Sequence, residues 1–325
     1  MNASALRVGH TTCRILYKKH KLVQEGKKIK EAFNRFCDHH PYLTLESAVE
    51  YFSILGGIEG QIELDYFESV SAMVETNFVE NFTGFQQLVT PSYLLESPYR
   101  ELLMSVARGD GKYYSVLRKA RLSERIGEHI VNELVDLGVL RIEQSREQPL
   151  KSHPKHKLKK ELRHYRIQDK LRFVNPFMRF WFGFVSYYKN ELQQGKGERF
   201  MENFHNHYER LRTLVFEQLC DDLLIDYFAK TTPVLTHGSY WNQHSEFDIL
   251  VVTSNKKLVL GECKYKDRKV CKNELNKLKA KALQSGIKVD IYALFSKDGF
   301  SKELLGMKDE SLLLFDLNDL QRLCR

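Results

Sequence analysis

The sequence predicts a mixed α/β chain: a helical N-terminal part and, at the C-terminal end, a unit of order α-β-β-β-α-β. Three observations predict it. Two short apolar runs, 247–252 and 258–260, flank the turn cluster Thr253-Ser-Asn-Lys256 and read as a β-hairpin. A helix over 209–228 precedes the hairpin, and a basic helix over 267–285 follows it. Beyond them, the apolar run 288–295 reads as a buried strand of parallel type. Residues 303–305, 312–315 and 318–323 then read as helix, strand and helix.

With 325 residues the chain has room for two or three domains, and 42% hydrophobic residues suffice for packed cores. No apolar run reaches the ~18 residues of a transmembrane helix. The first residues, Met1-Asn-Ala-Ser-Ala-Leu-Arg7, lack the apolar segment of a signal peptide, so a cytoplasmic protein without a membrane partner is expected. The six cysteines form no CxxC pair and have no histidine at ligand spacing. Ordinary thiols are expected, neither a disulfide framework nor a zinc site. A net charge of +8 points to a polyanionic partner.

Residues 1–90 read as helical. Residues 27–38 are basic and amphipathic, and Thr44 caps a helix that Gly56-Gly57 stops. A further helix over 64–78 follows the capping residue Asp65. This part is either a lid or docking module or a plain packing domain. Residues 91–172 read as a winged helix: helices over 99–107, 113–120 and 124–137, the last capped by Ser123 and stopped by Gly138. Ile126, Ile130, Leu134 and Leu137 form its apolar face. A strand at 139–143 opens the wing, and the return strand is expected at 164–167.

Charge decides which part of this module can touch nucleic acid. The third helix, the usual reader of the major groove, carries Glu124, Glu128, Glu133 and Asp136 against Arg125. The wing loop holds Lys155, Lys157, Lys159 and Lys160, suited to non-specific phosphate contact. The alternative is a solvated basic loop. Residues 173–208 form an aromatic connector, where Asn175-Pro-Phe-Met-Arg-Phe-Trp-Phe182 reads as a buried helix.

The chemistry concentrates on the hairpin. With its turn centred on Asn255, Asp248 falls opposite Glu262 and Glu246 opposite Lys264, all on one face. Opposed carboxylates repel, and a hard divalent cation with oxygen ligands, Mg²⁺ or Mn²⁺, would neutralise them. A lysine beside them suits charge stabilisation at a phosphoryl group.

Asp248 and, across the hairpin, Glu262-Cys263-Lys264 resemble the PD-(D/E)XK nuclease superfamily. The resemblance implies a restriction-endonuclease-like fold, with Asp248 and Glu262 as metal ligands and Lys264 as the catalytic lysine. It also implies a further acid from the preceding helix, a place that Glu217 fits. Phe247 departs from the superfamily's proline. Glu246 is either another acidic contributor or a partner of Lys264. Lys266, Arg268, Lys269 and Lys272 would grip the DNA backbone. Trp241 would stack on a base or pack under the hairpin.

A second resemblance runs through residues 45–320. The segments Ala48-Val-Glu-Tyr-Phe-Ser-Ile-Leu-Gly-Gly57, Asn175–Phe182, Tyr240-Trp241, Glu246-Phe-Asp-Ile249 and Gly261-Glu-Cys-Lys264 follow one another in order. That series is similar to the C-terminal half of archaeal-type P-loop ATPases, which end in a winged helix and a nuclease-like domain of unknown function. The GxxxxGK[ST] phosphate loop is missing, so neither nucleotide binding nor ATP hydrolysis is carried over. The reading is a Mg²⁺-dependent DNA endonuclease. The alternative is a non-catalytic nucleic-acid-binding or protein-docking module, acting as a homodimer or with a partner protein.

If the wing contacts phosphates, changing Lys155, Lys157, Lys159 and Lys160 together to Gln weakens DNA binding for every sequence alike. The slope of log K against log salt flattens by up to about 0.9 per lost contact on duplex DNA. Fluorescence anisotropy across a salt series measures this, and an unchanged slope would mean a merely solvated loop.

Overall fold

The computed structural model describes residues 27–58, 62, 64, 69–148, 157, 160, 165–307 and 309–324. The architecture is mixed: a largely helical N-terminal half and a five-stranded mixed sheet in the C-terminal half. No helix among the described residues is long and apolar enough to cross a membrane.

Helix α1 (Lys27–His39) leads into α2 (Leu45–Leu55), where the Thr44 side chain accepts from the Ser47 amide at 3.1 Å. Helix α3 (Val70–Glu75) starts later than expected because Ser69 is its cap, accepting from the Ala72 amide; Asp65 lies outside the described residues. A π-helical turn over Thr76–Glu80 joins it to α4 (Phe82–Gln87).

The expected 1–90 unit is divided between two cores. Phe33, Ala48, Val49 and Phe52 pack with the C-terminal sheet, whereas Ile54, Leu55, Phe78 and Phe82 join the core of the helical half. Cys37 and Cys324 are disulfide-bonded, tying α1 to the C-terminus across 287 residues of sequence. This corrects the expectation of free thiols throughout; spacing in sequence cannot reveal a pair that only folding brings together.

Helices α5 (Tyr99–Arg108), α6 (Tyr113–Lys119) and α7 (Glu124–Asp136) precede an antiparallel pair, β1 (Leu140–Glu143) and β2 (Lys170–Phe173). An isolated bridge from Lys112 to Lys170 brings a third segment of chain against the pair. Gly111 permits that closeness, since a Cβ there would meet the Leu171 carbonyl oxygen at 2.6 Å. The return strand is 170–173 rather than 164–167, because Leu171 and Phe173 are the residues that alternate into the core. On α7 the buried face is Gly127, Ile130, Val131 and Leu134. Ile126 and Leu137, expected on that face, are 53% and 44% exposed.

The aromatic connector is core, as α8 (Pro176–Phe180) and its π-helical extension Trp181–Val185 bury Phe177, Phe180, Trp181 and Phe182. After α9 (Lys189–Leu192) comes α10 (Glu198–Ala229), a helix of 32 residues. It begins well before 209 because Phe200, Met201 and Phe204 recur at helical spacing and bury in the first core. Its second half, from Val215 to Phe228, lies on the sheet.

The sheet has order β3-β6-β7-β8-β9. Its strands are β3 (Val234–Thr236), β6 (Ile249–Thr253), β7 (Leu258–Lys264), β8 (Ile291–Ser296) and β9 (Leu312–Asp316); a small hairpin, β4 (Tyr240–Trp241) and β5 (Glu246–Phe247), stands apart. The first three sheet strands pair antiparallel, and β7-β8-β9 run parallel. Alternation sorts the faces: Ile249, Val251, Val259 and Phe295 meet α10, while Leu250, Leu260 and Leu294 meet Leu275, Leu278 and Ala282 of α11 (Lys272–Gln284). Helix α11 starts at 272, not 267, since 266–269 is an exposed turn. A short helix α12 (Lys302–Leu305) and a terminal 3₁₀ stretch, Leu317–Cys324, complete the chain.

The β1–β2 hairpin is bolted to the sheet by polar contacts. Glu143 takes Arg172 at 2.9 Å and the Ser239 amide and hydroxyl at 2.9 and 2.8 Å. Arg146 donates to the carbonyls of Gly238, Ser239 and Leu250. Burial alone would raise the Glu143 pKa, but Arg172 and Arg141 hold its carboxyl down to about 2. Glu143→Ala strands a guanidinium and is expected to cost on the order of 3–5 kcal/mol in urea unfolding. A loss under about 1 kcal/mol would show that this pair does not hold the joint.

Candidate active site

The register Ile249↔Gly261 and Leu250↔Leu260 carries the hairpin as its turn predicts, so Asp248 comes next, at the level of Glu262. Gly261 lets the strands close, since a Cβ there would meet the Ile249 Cβ at 2.9 Å. Asp248 itself sits in the bend between β5 and β6, and its Oδ2 accepts from the Cys263 amide at 2.8 Å. Glu262 and Lys264 share the adjacent face of β7, with Nζ 2.5 Å from Oε1. Glu217 overhangs from α10, one turn before Cys220, which packs with Cys263 in the core beneath the helix.

The electrostatics of these acids follow from burial without full pairing. Asp248 is pushed up to about 6, first by burial and then by the Glu262 charge, against the Cys263 amide and Lys264. Glu217 is pushed up to about 8 by burial and by Asp248, with Arg172 and Arg179 pulling the other way. The two acids therefore share proton affinity as a linked set. Lys264 is held above its ordinary range: burial opposes its charge, but Glu262 outweighs it.

Other expected site residues have different work. Glu246 does not face Lys264; β5 pairs with β4, setting Glu246 against Trp241, and its carboxylate takes Lys170 of β2. The cause is the break at Asp248, which turns β5 out of the sheet. Trp241 is 3% exposed, donates its indole N–H to the Gln168 carbonyl at 2.9 Å, and lies under the Lys170 ammonium at 4.6 Å. It packs in the joint and is not open to a base. Lys266, Arg268 and Lys269 are exposed just past β7, and Lys272 pairs with Glu303 at 3.0 Å. Lys157 and Lys160 are exposed; Lys155 and Lys159 lie outside the described residues.

Two arginines near Glu217 escaped the sequence reading, Arg172 on β2 and Arg179 on α8. The available signal was Arg179 itself, a charge within an aromatic helix. A second pair was also missed: His237 Nδ1 and Asp221 Oδ2 lie 2.7 Å apart, and Asp221 also receives the Gly238 amide at 3.1 Å. Carboxylate oxygens suit a hard cation, and Asp248, Glu262 and Glu217 are such donors. Among the described residues, however, no three His, Cys, Asp or Glu side chains gather as a ready metal cage.

Comparison with known proteins reaches this same stretch. Residues 181–280 match the DUF234 model. That family is described as archaeal and bacterial proteins of unknown function. The DUF234-like stretch holds Glu217, Asp248, Glu262 and Lys264 but not Arg172 or Arg179. No curated protein matches the chain. The solved structure of protein VC1899 from Vibrio cholerae aligns at 14% identity over 79% of this chain and 55% of that one, with a TM-score of 0.26. The chain thus spans little more than half of that protein's length.

Both raised acids bind protons more tightly in the folded than in the unfolded chain. Their effect on stability is therefore absent at low pH and grows unfavourable as pH rises from about 4 through 6 and 8. Asp248→Asn keeps an acceptor for the Cys263 amide and removes the charge. In EDTA the variant should match wild type near pH 4 and exceed it by on the order of 2 kcal/mol near pH 7.5, measured by urea unfolding. A variant equally or less stable at both values would contradict this electrostatic account.

Proposed function

We propose that this chain is a divalent-cation-dependent phosphodiesterase acting on DNA, with a nuclease-like C-terminal domain and a winged-helix module before it. The observation that carries the reading is the repulsion between Asp248 and Glu262 at one sheet end, with Lys264 beside them and Glu217 above. The order of α10, β3, β6, β7, α11 and β8, with an antiparallel half and a parallel half, agrees with the α-β-β-β-α-β expectation. Helices α5 to α7 followed by the β1–β2 pair, with the bridge at Lys112, agree with a winged helix.

The donor set fits Mg²⁺ or Mn²⁺ in chemistry. Asp248 and Glu262 would hold the ion and Glu217 would join them; when bound, the ion supplies charge neutralisation and Lewis acidity at a phosphoryl oxygen. The protein's own groups do the rest. Lys264 carries its proton at Nζ, donates to a phosphoryl oxygen and orients the attacking water. Glu217 keeps a proton on its carboxyl near neutral pH until a cation displaces it. Lys266, Arg268 and Lys269 stand exposed at the end of β7, in reach of a DNA backbone that approaches this end of the sheet.

A second reading is a non-catalytic nucleic-acid-binding or docking module. The closed Lys264–Glu262 pair and the absence of a three-member ligand group among the described residues favour it.

Cleavage of labelled single-stranded, duplex and branched DNA with Mg²⁺ or Mn²⁺ separates the two. Asp248→Asn should abolish cleavage and weaken metal binding. Lys264→Ala should abolish cleavage while leaving the metal-induced rise in melting temperature intact, because an ammonium is no ligand. No cleavage of any substrate, no metal-dependent shift in wild type and a large destabilisation in Lys264→Ala would together retire the enzyme in favour of the docking module.

A further inference from the structure

We propose that Arg179 forms a phosphoryl-binding subsite, contributed by the helical half of the chain to the acidic site on the sheet; this rests on the phosphodiesterase reading. Arg179 is 7% exposed within the aromatic helix α8. Its Nη2 donates to Gln218 Oε1 at 3.3 Å, while Nη1 is buried with no hydrogen-bond partner among the described residues. A buried guanidinium left one donor short is costly, and native proteins rarely keep one without a use. Leucine or methionine would fill the same space without that cost.

The surroundings make an anion the natural partner. Burial and the charges of Arg172, Arg141 and Arg210 all disfavour the Arg179 cation, and Glu217 is the carboxylate that favours it. Arg172 is committed to Glu143, and Arg210 to the carbonyls of Arg108 and Gly109. Arg179 Nη1, by contrast, is a buried donor with no partner among the described residues. A groove of about 450 Å³ runs along α10 past Asn206, His207, Arg210 and Thr213 to Glu217, the residue before Gln218. The groove ends at Glu217, whose carboxyl feels the charges of both Asp248 and Arg179, so a phosphate at that end lies next to the residue that joins the two.

The Arg179 fork cannot itself take a metal cation, because a guanidinium has donors and no acceptor. A phosphoryl group matches the planar fork and tolerates the surrounding positive charge. Two sources share this chemistry, the internal diester of a nucleic-acid strand and a terminal or free phosphate. The groove's length along α10 favours the internal diester.

The test uses the full chain in EDTA, so that no metal contributes. Binding of a fluorescent oligothymidylate lacking terminal phosphates is followed by anisotropy, and inorganic phosphate is titrated by calorimetry. Arg179→Gln should weaken the oligonucleotide about tenfold or more. Arg179→Lys keeps the charge, loses the fork, and should also bind more weakly. If the Gln variant does not melt cooperatively, the Lys variant carries the test. Phosphate binding that the unphosphorylated oligonucleotide does not reproduce keeps the subsite and assigns it to a terminal or free phosphate. Folded variants that bind both probes as wild type does, or a wild type that binds neither, overturn the proposal. The outcomes also separate from the enzyme reading. Arg179-dependent binding without cleavage under Mg²⁺ or Mn²⁺ keeps the subsite and removes the phosphodiesterase. Cleavage with affinity and KM untouched by Arg179 substitution does the reverse.

Discussion

One helix belongs to both hydrophobic cores, and the rest of the structure is built around that sharing. Helix α10 gives Phe200, Met201, Phe204 and Leu211 to the helical half, and Val215, Phe216, Leu219, Leu223 and Leu224 to the sheet. Neither half can rotate about the helix without opening the other's core, because interiors at crystal-like density do not deform gradually. Glu217 sits just past the crossover, between Phe216 and Leu219, both fully buried. Its position is thus dictated by apolar neighbours. It stands half-buried at the end of the groove along α10.

The same junction holds carboxylates in two opposite states. Glu143 has Arg172 and two donors from Ser239 and stays ionised well below the ordinary range. Glu217 and Asp248 are similarly desolvated but have one another, and Glu262, as close charges, and are driven upward. The difference is the partner and not the depth. A structural joint satisfies its charges within the fold; Glu217 and Asp248 are left without that pairing. His237 on Asp221 belongs to the first class, since the Gly238 amide completes that carboxylate.

The hairpin was legible because it is local. With the turn taken as centred on Asn255, period-two alternation puts Asp248 at the level of Glu262, and the observed pairing 249↔261 agrees. Helix α2 with its Thr44 cap, and α7 with Ser123, were equally readable, since a cap is a contact within three residues. Boundaries slipped where a tertiary contact chose among locally equivalent options. Residues 170–173 won the strand from 164–167 by placing Leu171 and Phe173 in a core formed by distant helices. Glu246 left the face of Lys264 because the backbone bends at Asp248 and Lys170 arrives from a strand 76 residues away.

The sequence by itself determined the broad order of elements, the hairpin register and the places of Asp248, Glu262 and Lys264 on it, because propensity, alternation and turn chemistry act over a few residues. Tertiary structure alone decided the division of residues 27–58 between two cores and the union of Cys37 with Cys324. It also decided the burial of Trp241 and the arrival of Arg172 and Arg179 beside Glu217. Those contacts join residues tens to hundreds of positions apart. A desolvated charge has no signature in composition or period; it exists only once packing has removed the water around it.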